Sequence, residues 1–217
     1  MITIIDYGAG NIKSIQNMLK KIGVASIISN KAEEISVAEK LILPGVGHFD
    51  HGMKNLRSSG LIEVINQKAK EEKCPILGIC LGAQLMGDQS EEGVEKGLAW
   101  IPMDIVKFDK SRLGEKLKVP HMGWNKISRR RKSDNKIRER EHIEKTTLFD
   151  GLGEDARFYF VHTYHMMPQN ESAILAITTY GYEFVSAVQH ENIYGVQFHP
   201  EKSHSFGMQL LKNFSEL

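Results

Sequence analysis

The segment that most constrains this chain is Pro75-Ile76-Leu77-Gly78-Ile79-Cys80-Leu81-Gly82. Pro75 to Ile79 carry no polar side chain, which suits a short strand in a parallel sheet covered on both faces. The strand stops on Gly-x-Cys-x-Gly, and a helical pattern begins near Ala83-Gln84-Leu85-Met86. This is the thiol counterpart of the G-x-S-x-G elbow, where flanking glycines relieve a sharp strand-to-helix turn and leave a nucleophile above the sheet. A helix N-terminus also favours a thiolate through its dipole and free N–H groups. Cys80 is therefore a candidate nucleophile, and the Leu81 N–H is placed to receive an oxyanion. A lone C-x-G is more often a small buried cysteine in a tight turn, so its weight depends on what accompanies it.

The surroundings fit such a turn. Ile2 to Ile5, Ala25 to Ile28 and Lys40 to Leu43 read as strands, and Ile12, Ile15, Met18 and Leu19 recur at helical spacing. A helical segment with Leu61, Ile62, Val64 and Ile65 inward precedes Pro75. Beyond it, Ile101–Phe108, Phe158–Tyr164, Ala173–Thr179, Val185–Gln189 and Ile193–Phe198 read as strands joined by short turns, and Ser205–Phe214 as an amphipathic helix. The expectation is an α/β fold. Its open, twisted sheet is mostly parallel or mixed, with helices on both faces and an additional antiparallel portion in the second half. A length of 217 residues suits a single domain over 1–217. The charged stretch from Ser128 to Lys145, including the basic run 129–140, has little to anchor it and reads as an exposed loop or hairpin tip. Cys74 has no glycine frame and no helix start, so it is not a candidate nucleophile.

A cysteine nucleophile needs a base, and the base needs a group that fixes its tautomer. Gly195-Val196-Gln197-Phe198-His199-Pro200-Glu201-Lys202-Ser203 offers both. His199 ends an apolar strand, Pro200 stops it, and Glu201 lies two residues on. A Cys80-His199-Glu201 arrangement follows.

Together, GICLGAQ and GVQFHPEKS resemble the class I, or triad, glutamine amidotransferases, whose fold is flavodoxin-like. The resemblance covers the whole chain and includes the Pro44-Gly45-Val46-Gly47 loop. It implies that L-glutamine is the substrate and that Val46 and Gly47 join Leu81 in stabilising the oxyanion. It also implies that Gly45, Gln84, His162, Thr163 and Tyr164 help bind the substrate. Ala83 departs from the methionine frequent in the family. Val119-Pro120-His121-Met122-Gly123-Trp124-Asn125, Asp6-Tyr7-Gly8-Ala9-Gly10-Asn11 and Phe160-Val161-His162-Thr163-Tyr164 further resemble the glutaminase subunits of imidazole glycerol phosphate synthases. That likeness implies a heterodimer with a cyclase subunit built as a (β/α)8 barrel. Asn11, Ser14, Pro120, Met122, Trp124, Asn125 and Lys202 would lie toward the partner.

Charge excludes some alternatives. Twenty-eight basic residues against 27 acidic leave a net +1, with no global field for nucleic acid or a membrane. No apolar stretch approaches the roughly 20 residues of a spanning helix, so a soluble, cytoplasmic protein is expected. No cofactor and no metal site is expected. Three rivals stand beside the glutaminase of histidine biosynthesis. They are a paralogous glutaminase supplying ammonia to a sugar amidotransferase in surface-polysaccharide synthesis, a cysteine hydrolase of similar architecture, and a binding module that retains the fold.

Overall fold

The structure, a computed structural model, describes residues 1–130 and 147–217. The first half alternates strand and helix: β1 (Ile2–Ile5), α1 (Ile12–Lys21), β2 (Ser26–Ser29), α2 (Ala32–Ser36), β3 (Lys40–Leu43), α3 (Phe49–Ser58), α4 (Ile62–Asn66), β4 (Ile76–Ile79) and α5 (Leu81–Leu85). Then come β5 (Gln89–Ser90), β6 (Met103–Lys107), α6 (Lys110–Leu113), β7 (His121–Lys126) and β8 (Ser128–Arg129). The final part holds β9 (Arg157–His162), β10 (Tyr164–Pro168), β11 (Ile174–Tyr180), β12 (Tyr182–His190), β13 (Ile193–Val196) and α7 (His204–Glu216).

The main sheet runs β2-β1-β3-β4-β13-β12-β10-β6-β5, with β11 paired to both β12 and β8. From β2 to β13 neighbouring strands are parallel. Beyond β13, pairing turns antiparallel through β12, β10 and β6. β1 and β4 are buried throughout and β3 and β13 nearly so, while the edge strand β2 is half-buried, and their period of two sorts side chains between two cores. Leu41 and Leu43 join Phe49, Met53, Leu56 and Ile65 on one face. Ile42 joins Ile15, Leu19, Leu210 and Phe214 on the other. Each fully buried Leu or Ile side chain contributes about 1.5–3 kcal/mol. That burial holds helices as short as α4, which would not persist alone in water.

Several elements differ from the pattern. Phe158–Tyr164 is not one strand: the chain breaks at Thr163, whose carbonyl accepts from Phe108 N at 3.1 Å. β9 pairs with β7 in a separate two-stranded sheet, while β10 joins the main one. β7 carries no apolar alternation of its own, with His121, Gly123 and Asn125 on its inward positions, and depends on β9 for its backbone partners. The helical segment before Pro75 is α3 and α4, separated by Gly60 at φ +72°, with α4 running on into a π-helical turn over Gln67–Glu71. Of the charged stretch, Ser128 and Arg129 form β8 and Arg130 pairs with Glu171. Residues 131–146 lie outside the described residues.

Candidate active site

β4 ends at Ile79 and α5 starts at Leu81, so Cys80 alone makes the turn, at φ 54° and ψ −112°. Positive φ costs a residue with a Cβ about 1–2 kcal/mol, and the surrounding glycines let the fold hold it there. A Cβ on Gly82 would stand 1.9 Å from Leu43 O, and one on Gly78 would stand 2.7 Å from Ala83 Cα. Cys80 N donates to Val196 O at 2.8 Å, pinning the turn to the end of β13.

That bond explains how residues 80 and 199 meet. β4 and β13 are adjacent and parallel, with Ile79 opposite Val196, so the residues that follow each strand emerge at the same edge. His199 N then donates to Tyr159 O at 2.9 Å, and Pro200–Lys202 form a single 3-10 turn that folds Glu201 back. His199 Nδ1 and Glu201 Oε1 are 2.8 Å apart, with the side chains 2% and 1% exposed. With Nδ1–H donating to the carboxylate, Nε2 remains for Cys80. Nε2 has no partner that meets hydrogen-bond geometry. The Cys80 side chain is nevertheless near enough to raise the ring's proton affinity, first as a hydrogen-bond partner and then through its charge. Burial pushes the His199 pKa down, but Cys80 and Glu201 push it up more strongly and place it at about 10.

The loop after β3 closes the other side. A Cβ on Gly45 would lie 2.5 Å from Gly82 N, so this loop rests directly on the first turn of α5. Gly47, at φ +102°, faces open space, and Val46 is 43% exposed. From behind, Tyr7 donates its hydroxyl to Pro44 O at 2.6 Å. Burial, and then the neighbouring Cys80, push the Tyr7 pKa up, which keeps it a donor. The N–H groups of Leu81 and Gly82, in the first turn of α5, have no acceptor within the helix.

The residues expected to bind substrate are brought together but turned inward. Gln84 is buried, and its Nε2 donates to Tyr164 O and to Gln197 Oε1, both at 3.1 Å. His162 donates from Nδ1 to Tyr164 O at 2.8 Å and packs against Phe108, Phe160 and Phe184. Burial holds its pKa well below the ordinary histidine value. Thr163 is half-buried at the strand break. Gln197, absent from the expected site, donates to Cys80 Sγ at 3.8 Å. Its signal was present as a polar side chain inside the otherwise apolar Val196-Gln197-Phe198.

The residues expected toward a partner divide. Met122 and Trp124 stand out from β7, 62% and 44% exposed. Trp124 stacks on His204, and the Lys202 ammonium lies 5.7 Å from the Tyr159 ring centre, which meets Trp124 edge-on. Pro120 is exposed. Asn125 instead turns inward, donating to Thr179 O at 2.9 Å. Asn11 caps α1 without a side-chain bond, Ser14 lies in its first turn, and α1 packs on the Pro200–Lys202 turn. Among the described residues no group of three or more His, Cys, Asp or Glu is arranged around a metal position. No helix among them is long and apolar enough to cross a membrane.

A family model described as glutamine amidotransferase class-I matches residues 3–216. The imidazole glycerol phosphate synthase subunit HisH 2 of Pseudomonas aeruginosa is 49% identical over all of both chains. A protein of the same designation from Methanococcus maripaludis is 52% identical, covering 99% of this chain and 98% of its own. A solved glutamine amidotransferase superposes with a TM-score of 0.70 at 18% identity, covering 100% of this chain and 98% of that one. PurLQS from Thermotoga maritima gives 0.66 at 15%, covering 98% and 96%. At such identities these two structures speak for the fold alone.

Proposed function

The chain belongs to the class I glutamine amidotransferases, and from that premise we propose that it is the glutaminase subunit of an imidazole glycerol phosphate synthase in histidine biosynthesis. One observation carries the chemistry: Cys80 and the buried His199–Glu201 pair emerge at the shared edge of β4 and β13. Cys80, as thiolate, attacks the carboxamide carbon of L-glutamine, and the carbonyl oxygen becomes an oxyanion. The N–H groups of Leu81 and of the Val46–Gly47 loop receive that charge. Collapse of the tetrahedral species breaks the C–N bond, and His199 gives its proton to the departing ammonia while Glu201 holds the ring. Water, deprotonated by His199, then hydrolyses the glutamyl thioester, releasing glutamate and restoring Cys80. Gly45, Gln84 and the His162–Tyr164 turn shape the pocket for the amino acid.

Ammonia released into bulk water would be protonated and lost, so the product must pass into a docked partner. The Met122, Trp124 and Lys202 face suits a cyclase subunit with a (β/α)8 barrel in a heterodimer, acting in the cytoplasm, with residues 1–217 as one domain. A second reading has an observation of its own: the two relatives at 49% and 52% identity both carry the designation 2. A second glutaminase could serve a sugar-amidating synthetase instead. Glutamate release by this chain, measured with a histidine-pathway cyclase and separately with a sugar-modifying synthetase, decides between them. Stimulation by the cyclase is expected, and stimulation by the synthetase alone would overturn the histidine assignment. Glutamine turnover that survives in Cys80→Ala would end the glutaminase reading altogether.

A further inference from the structure

Cys80 has a neighbour besides His199 that the chemistry above does not use. Gln197 is fully buried and is the first residue beyond β13, one strand over from the turn. Its backbone is fixed, with N donating to Ser186 O at 2.9 Å. Its side chain is fixed as well, because Oε1 accepts from Gln84 Nε2 at 3.1 Å and Nε2 points to Cys80 Sγ at 3.8 Å.

The orientation of both amides follows from a single carbonyl. Tyr164 O can only accept, so the Gln84 atom facing it must be the NH2 group. The second Gln84 hydrogen then goes to Gln197, which must present its oxygen there and its own NH2 to the sulfur. The same carbonyl accepts from His162 Nδ1, so His162 Nε2 is an acceptor and His121 Nδ1, 3.0 Å away, is its donor. Burial favours the neutral forms this requires, holding His121 at about 4 and His162 well below its ordinary value. Every link has one permitted direction, and the final donor is aimed at the nucleophile.

Resting on the glutaminase reading of this site, we infer that Gln197 is a positioning residue that holds the Cys80 sulfur in its attacking rotamer and supplies an N–H to its negative charge, and that Gln84 and Tyr164 O lock Gln197 in that orientation. Donation to a charged acceptor is stronger than donation to a neutral one, so the contact gains when the sulfur is ionised. Gln84 thereby acts on the nucleophile through Gln197, with only its amide oxygen left to face a ligand.

The test uses the full chain in a Cys74→Ala background, so that Cys80 is the one thiol that reacts. Iodoacetamide alkylation at neutral pH needs neither glutamine nor partner, so it fails separately from the glutaminase reading. Gln197→Met keeps the side-chain length and removes the donor, and should slow alkylation about tenfold. Gln84→Met leaves Gln197 in place but unheld, and should slow it about threefold, with the double variant no slower than Gln197→Met because the two act in series. In the complex with whichever synthase stimulates the chain, Gln197→Met should lower kcat about tenfold and leave KM within about twofold. Unchanged alkylation in Gln197→Met, a double variant as slow as the product of the singles, or a loss confined to KM would overturn the inference. Should Gln197→Met fail to fold, Gln84→Met decides it: slower alkylation supports the inference and an unchanged rate overturns it.

Discussion

Cys74 and Cys80 flank the same four-residue strand, β4, and are nearly equally buried, 5% and 7% exposed, yet their surroundings are opposite in sign. Cys74 Sγ faces carbonyl oxygens, Glu39 O at 3.2 Å and Ala38 O at 3.7 Å. Burial pushes its pKa up, and a thiol that donates to carbonyls is held as a thiol. Cys80 faces the Gln197 amide and the His199 imidazole, both of which attract negative charge, and it sits immediately before the first N–H groups of α5. Burial does not separate the two cysteines. The direction of the dipoles around the sulfur does, and it is set by which end of a parallel strand the residue occupies: helices start, and N–H groups point, at the C-terminal edge.

The hardest way to break this contrast is to remove each sulfur. Cys80→Ala should lower glutamine hydrolysis by about 10⁴-fold or more, whereas Cys74→Ala should leave kcat within about twofold. Glutamate release measures both, and comparable losses in the two variants would erase the distinction. A large effect on the turn itself is expected from Gly82→Ala. The new Cβ would meet Leu43 O at 1.9 Å and Leu43 C at 2.8 Å, both backbone atoms that cannot swing aside. A destabilisation of about 3 kcal/mol in urea unfolding is expected. Cys80 alkylation should also slow toward that of Cys74. A Gly82→Ala chain of unaltered stability would show that the β3 loop does not brace the turn.

Much of this contrast was legible in the residues. The glycine frame around Cys80, the apolar strand before it and the Pro200 stop after His199 are local signals, and each came out as an element boundary within a residue or two. The class of fold followed from the strand–helix alternation of the first half. What lay hidden is non-local. That β4 and β13 are neighbours depends on a pairing across more than a hundred residues, and only that pairing brings Gln197 to Cys80. The break at Thr163 and the strand β7 were hidden for the same reason. An apolar run such as Phe158 to Tyr164 does not say that its two ends belong to different sheets. Inward-facing His162 and Gln84 donate to the same carbonyl, Tyr164 O, which no spacing rule reports.

Titration sharpens the comparison with smaller effects. The His199 pKa rises from 6.5 to about 10 on folding, so its stabilisation is fully present below about 6.5 and lost as pH rises toward 10. The Tm should decline through that window, and the decline should shrink in Cys80→Ala and in Glu201→Gln, which remove the charges that hold the proton. Cys74, whose pKa is also raised, costs stability only as pH rises above its ordinary value of 9.0, so Cys74→Ala should alter the alkaline end alone. On the acid side, His121 falls from 6.5 to about 4, and its contribution is present above 6.5 and lost as pH drops toward 4. His121→Phe, which preserves the stack on Phe160 and Tyr180, should flatten that limb. An alkaline decline of the same slope in Cys80→Ala and the parent chain would remove His199 as its cause.

The smallest chemical change is also the most discriminating, because it replaces one atom near each end of β4. In Cys74→Ser the hydroxyl can still donate to Glu39 O, and a shorter O–H···O bond needs only a slight approach of that loop. The variant should shift the urea midpoint by less than about 1 kcal/mol in stability and leave glutamate release unchanged. Cys80→Ser should fold equally well, since Gln197 Nε2 still finds an acceptor, and yet lose hydrolysis almost as fully as Cys80→Ala. At neutral pH a hydroxyl supplies no appreciable anion for His199 to pair with or for the α5 N–H groups to stabilise. Serine thus keeps what Cys74 uses, a donor, and lacks what Cys80 uses, a polarisable anion in a field of N–H groups. Measurable hydrolysis by Cys80→Ser would mean that the turn positions any nucleophile, and that the field around residue 80 matters less than its geometry.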